Sequence, residues 1–269
     1  MNESLFAALL GIVQGLTEFL PVSSSGHLSL LSFWFPGSEL GTEQVARNLV
    51  LHLGTLVPVL VIYRSSLWGI ARDATSGDIP LKERGGVRLL AWMVIGSIPT
   101  AAIGLGFKEH FEAMFDSPWV VGSAFLVTGV LLLATRWIPG GVTDERSLVW
   151  WQALLIGVVQ GLAITPGISR SGSTIASGLL LGLDREFAAR FSFLLSVPII
   201  AAAGSLHAVA LIKAGARTDW SDVALGATVA AMSAFACIHV FLLLLERVGM
   251  LPFIIYRLLL GAALVALYI

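Results

Sequence analysis

Charge is scarce in this sequence. Lysine and arginine total 16 and aspartate and glutamate 17, so 12% of the 269 residues are charged, against roughly 25% in ordinary soluble domains. The formal net charge of -1 excludes a generally basic, nucleic-acid-binding protein. There is one cysteine, Cys237, inside an apolar run, so no disulfide framework is expected. Also missing are a G-x-x-x-x-G-K-[ST] loop, paired Cys/His metal spacings and a G-x-S-x-G elbow. Their absence leaves ATP-driven transport and lipase-type hydrolysis without support. Residues 1–10 carry neither a basic n-region nor a small-residue cleavage site, so a cleaved signal peptide is not expected.

What is abundant is apolar surface. Apolar residue types make up 57% of the chain and its mean hydropathy is +0.89, the composition of an integral membrane protein. Six apolar stretches, near 46–63, 89–107, 119–137, 187–212, 223–245 and 253–269, have the length of about 18 to 25 residues that a hydrocarbon core demands. They fill the chain so completely that residues 1–269 are read as one membrane domain.

Two further segments are near-copies of one another. GIVQGLTEFLPVSSSGHL (11–28) and GVVQGLAITPGISRSGST (157–174) align without a gap and share eight of eighteen residues, among them Gln14/Gln160, Gly15/Gly161, Ser23/Ser169, Ser25/Ser171 and Gly26/Gly172. Each runs from an apolar helical pattern into a proline and then a Ser/Gly-rich turn. Such a turn survives at membrane depth only where protein or a water-filled cavity surrounds it. Each copy is therefore expected to be a re-entrant helix-turn-helix hairpin. With three crossings per half, the second half (about 148–269) is inverted relative to the first (about 1–137), and the hairpins meet at mid-depth. The expected fold is all-α: six transmembrane helices plus two re-entrant helical hairpins in an inverted-topology repeat.

Charge placement fits that topology. Arg64, Arg72, Lys82, Arg84, Arg88, Arg136, Arg146, Arg185, Arg190 and Arg247 then share one face, and Arg47, Lys108, Lys213 and Arg217 the other. The positive-inside rule makes the richer face cytoplasmic and puts both termini and the first hairpin outside.

Three ionisable residues remain at membrane depth, where they mark function by default: Glu18, Arg170 and Arg257. Gln14 and Glu18 are four apart and share a helix face. A carboxylate there can accept a hydroxyl proton or ligate a divalent cation, or it can simply be a buried partner of an arginine. Ser23, Ser24, Ser25, Gly26 and His27 open a new helical arm, where free N–H groups and hydroxyls suit an anion, although a serine before a helix is also an ordinary cap. The second copy, with Ser169, Arg170, Ser171 and Thr174, sets a guanidinium where the first has Ser24, and a planar fork suits phosphate or carboxylate. The two turns together describe a phosphate pocket. His52, inside a span, is read as a packed or hydrogen-bonded histidine.

At these motifs the chain resembles the undecaprenyl-diphosphate phosphatase family of bacteria, also called the bacitracin-resistance family. The likeness rests on QGLTEFLPVSSSGH (14–27) and PGISRSGST (166–174), with FSFLLSVP (191–198) and PFIIYRLLLG (252–261) in support. It implies removal of the terminal phosphate of undecaprenyl diphosphate, recycling the lipid carrier for cell-wall synthesis, with a divalent cation such as Mg²⁺ or Ca²⁺. It also implies Glu18, Ser24, His27 and Arg170 as catalytic residues. Ser23, Ser25, Ser169, Arg170, Ser171 and Thr174 would then bind phosphate, and Glu18 and Gln14 the metal. Gln14 is the glutamine form of a position that can be glutamate, which shifts weight onto Glu18. Ser24 or His27 is the nucleophile. The implied location is the bacterial cytoplasmic membrane; the partners are a polyprenyl diphosphate lipid and the membrane, with a homodimer left open and no nucleic acid. The rival expectation is an inverted-repeat transporter or flippase of a polyprenyl phosphate, since broken helices at mid-depth are also the plan of secondary transporters.

Overall fold

The computed structural model describes residues 3–34, 42–76, 84–115, 117–138, 141–214 and 220–268, with the backbone alone for 3, 42–49, 207–208 and 210–214. Of the charges used for topology, Lys82 and Arg217 lie outside the described residues, as do the side chains of Arg47 and Lys213.

Helices account for nearly all of it: α1 (Glu3–Phe19), α2 (Ser24–Trp34), α3 (Thr42–Ile62), α4 (Arg64–Thr75), α5 (Gly85–Gly106), α6 (Lys108–Met114), α7 (Pro118–Ala134), α8 (Trp150–Leu162), α9 (Arg170–Leu180), α10 (Arg185–Ala214), α11 (Trp220–Arg247) and α12 (Leu251–Tyr268). No strand occurs among the described residues; one isolated bridge joins Thr143 and Leu183. Five helices, α5, α7 (with the 3₁₀ turn after it), α10, α11 and α12, are long and apolar enough to cross a membrane. The expected span at 46–63 is α3, which makes a sixth only when counted with α4, across a 75° bend. That bend falls at Tyr63, not at Pro58, which lies inside the continuous α3. The outer surface carries large exposed apolar side chains such as Ile98, Leu105, Val127, Met232 and Leu259, as lipid contact requires.

Small residues set the closest helix contacts. A Cβ added to Gly11 would lie 2.5 Å from the Gly226 carbonyl oxygen, and one on Gly15 would lie 2.5 Å from that of Ala230. This Gly-x-x-x-Gly face lets α1 and α11 touch backbone to backbone, the packing mode favoured where lipid supplies no hydrophobic drive. Gly157 and Gly161, the matching pair on α8, meet Gly96 and Thr100 of α5 in the same manner. The partnerships repeat further: α3 packs on α11 and α10 on α5, while α3 pairs with α10 and α7 with α12. The core is an aromatic column in which Phe193 touches Phe19 (5.1 Å between centroids) and Phe241 (5.8 Å), and Phe241 touches Phe253 (5.7 Å).

The connections gather at two ends. At one, Arg190 pairs with Glu145 at 2.6 Å, Arg88 donates to the Glu145 carbonyl, and the Asp184 N–H donates to Thr143. At the other, Ser4 donates to Asp222 (2.6 Å), Ser29 to the Phe115 carbonyl (2.6 Å) and Trp34 to the Tyr268 hydroxyl (3.0 Å).

Candidate active site

The two Ser/Gly turns meet tip to tip. The first is the short link 20–23 between α1 and α2, in which Ser23 takes φ +74, a left-handed conformation uncommon for a residue with a Cβ. The second is the link 163–169 between α8 and α9, where the positive φ, +90, falls on Gly167. Each turn reaches into the other: Ser23 Oγ donates to the Ile168 carbonyl (3.2 Å) and Ser171 Oγ to the Leu20 carbonyl (2.9 Å). Ser23 and Ser169 also cap their helices, accepting the N–H groups of Gly26 (3.3 Å) and Gly172 (3.0 Å). Thr174 Oγ1 donates back to the Arg170 carbonyl and lies 2.6 Å from Ser192 Oγ. The hydroxyls of Ser23, Ser169, Ser171 and Thr174 are thus buried and bonded to protein, while Ser25 is the more open serine of the group.

Above this junction sits the cluster that the sequence places together. Glu18 is buried at the end of α1 and every bond to it is short. Arg170 Nη2 donates to Oε1 at 2.6 Å; Ser24 Oγ (2.6 Å) and Gln14 Nε2 (2.7 Å) donate to Oε2. Gln14 and Glu18 meet because residues four apart on a helix stack one turn over the other. Ser24 and Arg170 occupy matching positions, each the first residue of an outgoing helix, so both side chains project from the junction toward the acid. Arg170 also lies over the Phe19 ring, 5.8 Å from its centroid. Two buried polar atoms here have no hydrogen-bond partner among the described residues: Arg170 Nη1, a donor, and Gln14 Oε1, an acceptor. The Gln14 amide orientation is set by its bond to the carboxylate, so the free atom is the oxygen. Buried polar atoms left without partners are rare enough to need a reason.

His27, one turn into α2, is fixed at both ring nitrogens. Nδ1 lies 2.6 Å from the Ser23 carbonyl oxygen and Nε2 lies 2.5 Å from Tyr256 Oη. A carbonyl only accepts, so Nδ1 carries the proton and the Nε2 lone pair receives the tyrosine hydroxyl in the neutral ring. Tyr256 on α12 was not singled out by sequence reasoning; it has no motif, and only its place in PFIIYRLLLG pointed to it.

Arg257, the third ionisable residue at depth, has 0% exposure. Its guanidinium donates to the carbonyls of Gly167 (2.7 Å), Ala124 (3.3 Å), Phe125 (3.3 Å) and Pro21 (3.4 Å), and lies over the Phe125 ring at 4.9 Å. One side chain therefore ties the tips of both turns to α7. Several charge-assisted hydrogen bonds and a cation–π contact offset the several kcal/mol that a buried, unpaired charge costs. His52, expected to be packed or hydrogen-bonded, has its Nε2 3.6 Å from Glu18 Oε2, so α3 contributes a side chain to the cluster. Nothing in its sequence surroundings marked this, because the two helices are brought together only by packing.

Among the described residues no three His, Cys, Asp or Glu side chains gather as a closed metal cage. The donors at the cluster are a carboxylate, Glu18, and the unpartnered oxygen of Gln14. That oxygen-only pair fits a hard cation such as Mg²⁺, which is commonly held by one or two carboxylates together with water and substrate phosphates.

The chain is similar to known proteins over nearly its whole length. The family model described as bacitracin resistance protein BacA matches residues 7–263. The chain is 48% identical to undecaprenyl-diphosphatase 2 of Stutzerimonas stutzeri, over 97% of this chain and 96% of that one. It is 43% identical to the undecaprenyl-diphosphatases of Nitrosococcus oceani (96% and 97% covered) and Colwellia psychrerythraea (95% and 96% covered). A match over nearly the full length, on a chain whose two motifs converge on one acid–guanidinium pair, places this protein in the BacA bacitracin-resistance family.

Proposed function

We propose that the protein hydrolyses undecaprenyl diphosphate to the monophosphate and inorganic phosphate, returning the lipid carrier to cell-wall synthesis in the bacterial cytoplasmic membrane. The observation that carries this reading is the contact of Ser24 and Arg170, one from each turn, with the two oxygens of Glu18.

Phosphoryl transfer depends on positioning and charge neutralisation more than on covalent help. Arg170 holds Glu18 through Nη2 and keeps Nη1 for a phosphoryl oxygen, with Ser25 and the α2 and α9 N-termini as further donors. Ser24 Oγ attacks the distal phosphorus in line while its proton passes to Glu18 Oε2, already 2.6 Å away. The anhydride P–O bond breaks and undecaprenyl phosphate departs. Water then attacks the phosphoserine, its proton passing to the His27 Nε2 lone pair as Tyr256 releases it; the P–Oγ bond breaks, Glu18 returns its proton to Ser24 Oγ, and inorganic phosphate leaves. Glu18 and Gln14 would hold a divalent cation, whose charge neutralises the diphosphate. The buried hydroxyls of Ser23, Ser169, Ser171 and Thr174 serve this scheme by fixing the turns that present those donors.

The same reading includes the inverted repeat, one membrane domain over 1–269, and an extracytoplasmic site and termini. Its supports are the matched helix partnerships of the two halves, the clasp of first-half carbonyls by second-half Arg257, and the bonds of the α1 and α2 ends to the face poorer in arginine.

The deciding test is phosphate release from undecaprenyl diphosphate by purified protein, with and without chelator, beside an Arg170→Ala control. Metal-dependent release that the variant loses is the expected result. No release with any divalent cation removes the enzymatic reading.

A further inference from the structure

At the arginine-rich end a cavity of about 260 Å³ opens between the end of α7, the last turn of α9, the first turn of α10 and the α11–α12 turn. Arg136, Arg185 and Arg247 line it, three residues far apart in sequence that folding brings to one hollow. Glu246 is the one acidic lining residue, so the cavity keeps an excess of two positive charges.

Four other arginines at this end find protein partners: Arg190 pairs with Glu145, Arg88 donates to the Glu145 carbonyl, Arg84 to that of Asp73 and Arg64 to that of Val61, while the Arg72 and Arg146 side chains bond no described residue and lie outside the cavity. None of the three cavity arginines makes a hydrogen bond or ion pair with a described residue. A topological charge belt requires only that arginines lie at this end. It does not require that three of them converge unpaired on a single cavity.

The walls carry the second half of the argument. Leu179, Met250, Leu251 and Ile254 supply apolar surface beside the guanidinium groups. Trp137, next to Arg136, is 73% exposed at the end of a membrane-crossing helix, the usual place of an interfacial aromatic. Guanidinium groups bind phosphate oxygens through paired N–H donors, and basic pockets between helix ends at this depth recognise lipid headgroups. We infer that this cavity binds the phosphate headgroup of an anionic phospholipid of the adjoining leaflet, at a site separate from the Glu18–Arg170 cluster. Arg136, Arg185 and Arg247 grip the phosphate, and the apolar wall receives the glycerol end of the lipid.

The test is native mass spectrometry of the delipidated, full-length protein titrated with phosphatidylglycerol, phosphatidylcholine or inorganic phosphate. The wild type retains phosphatidylglycerol in preference to phosphatidylcholine, and the triple variant Arg136→Gln/Arg185→Gln/Arg247→Gln retains about tenfold less or weaker still. A control triple at the same end, Arg64→Gln/Arg72→Gln/Arg146→Gln, removes equal charge and keeps wild-type retention. Equal loss in both triples, or no preference over phosphatidylcholine, overturns the proposal in favour of diffuse surface charge. Displacement of the lipid by equimolar inorganic phosphate overturns the lipid as the occupant. Thermal melting checks that both triples are folded; if the first is not, Arg185→Gln alone is read by the same comparison.

Discussion

At position 24 the first hairpin carries serine, and at the matching position 170 the second carries arginine; both side chains end on the carboxylate of Glu18. Around this pair the hairpins agree closely. Ser23 and Ser169 cap their helices, and each hydroxyl lies 3.2 Å from the serine two residues on. Gly26 packs on Gly167 of the opposite turn and Gly172 on Pro21 of the other. Ten of the eighteen aligned positions differ, among them 18/164 (Glu/Ile), 24/170 (Ser/Arg) and 27/173 (His/Ser). The retained Ser23/Ser169 and Gly26/Gly172 sit in the junction with the diverged Pro21 and Gly167. Glu18, its Ser24 and Arg170 partners and His27 all stand at positions that diverged, and Gln14 is the retained residue that bonds the acid. The helix caps and the acid's hydroxyl and guanidinium partners are thus divided between shared and unshared positions.

The sharpest way to break that division is to set the two classes of residue against each other in a phosphate-release assay. Glu18→Gln and Ser24→Ala are expected to lower kcat/KM by roughly 10²–10⁴-fold, the range of a lost proton acceptor or nucleophile. If Ser24→Ala instead stays within about tenfold of wild type, His27 is the nucleophile. Glu18→Gln also leaves the partly buried Arg170 guanidinium without its counter-charge, so the melting temperature is expected to fall with it.

The backbone offers a second contrast. Gly167→Ala puts a Cβ on a residue at φ +90 and 2.5 Å from the Val121 carbonyl oxygen. It is expected to destabilise the protein by about 1–3 kcal/mol, read as a lower melting temperature. Ser23→Gly relieves the matching strain in the first turn and loses a cap that glycine replaces at a cost of a few tenths of a kcal/mol, so its melting temperature should barely move. Equal effects would mean that the two turns are not equivalent supports.

The shared caps come next. Ser169→Ala removes one helix cap, worth about 1 kcal/mol, and should reduce kcat/KM by about fivefold at most. A loss as large as that of Glu18→Gln would show that a retained residue touches substrate. A similarly small effect on activity is expected of Tyr256→Phe, which removes one hydrogen bond to His27 and keeps the ring. A neutral bond of about 1 kcal/mol predicts a fall of about fivefold in kcat with KM nearly unchanged.

The sequence made the junction legible because duplication wrote it twice. Two copies of a Ser/Gly turn point to the hairpins, and ionisable character at membrane depth points to Glu18 and Arg170. The spans 89–107, 119–137, 187–212, 223–245 and 253–269 each fall on a helix that starts one to four residues earlier. What stayed hidden depends on packing. His52 reaches Glu18 only because α3 lies against α1, and Tyr256 reaches His27 from 229 residues away. Helix α4 was read as a connection because its polar residues dilute any apolar run and no proline or glycine announces the bend before it. The partner of Arg257 could not be read from side chains at all, since it is a set of main-chain carbonyls.

That last feature carries a consequence for how this protein can change. A cation that grips peptide oxygens is blind to the identity of the residues offering them. Positions 21 and 124 can drift in character without loosening the grip, provided the chain keeps its path, whereas the cation itself has no substitute with the same span. Substitution should therefore be lopsided, with tolerance spread over the gripped residues and intolerance concentrated in Arg257.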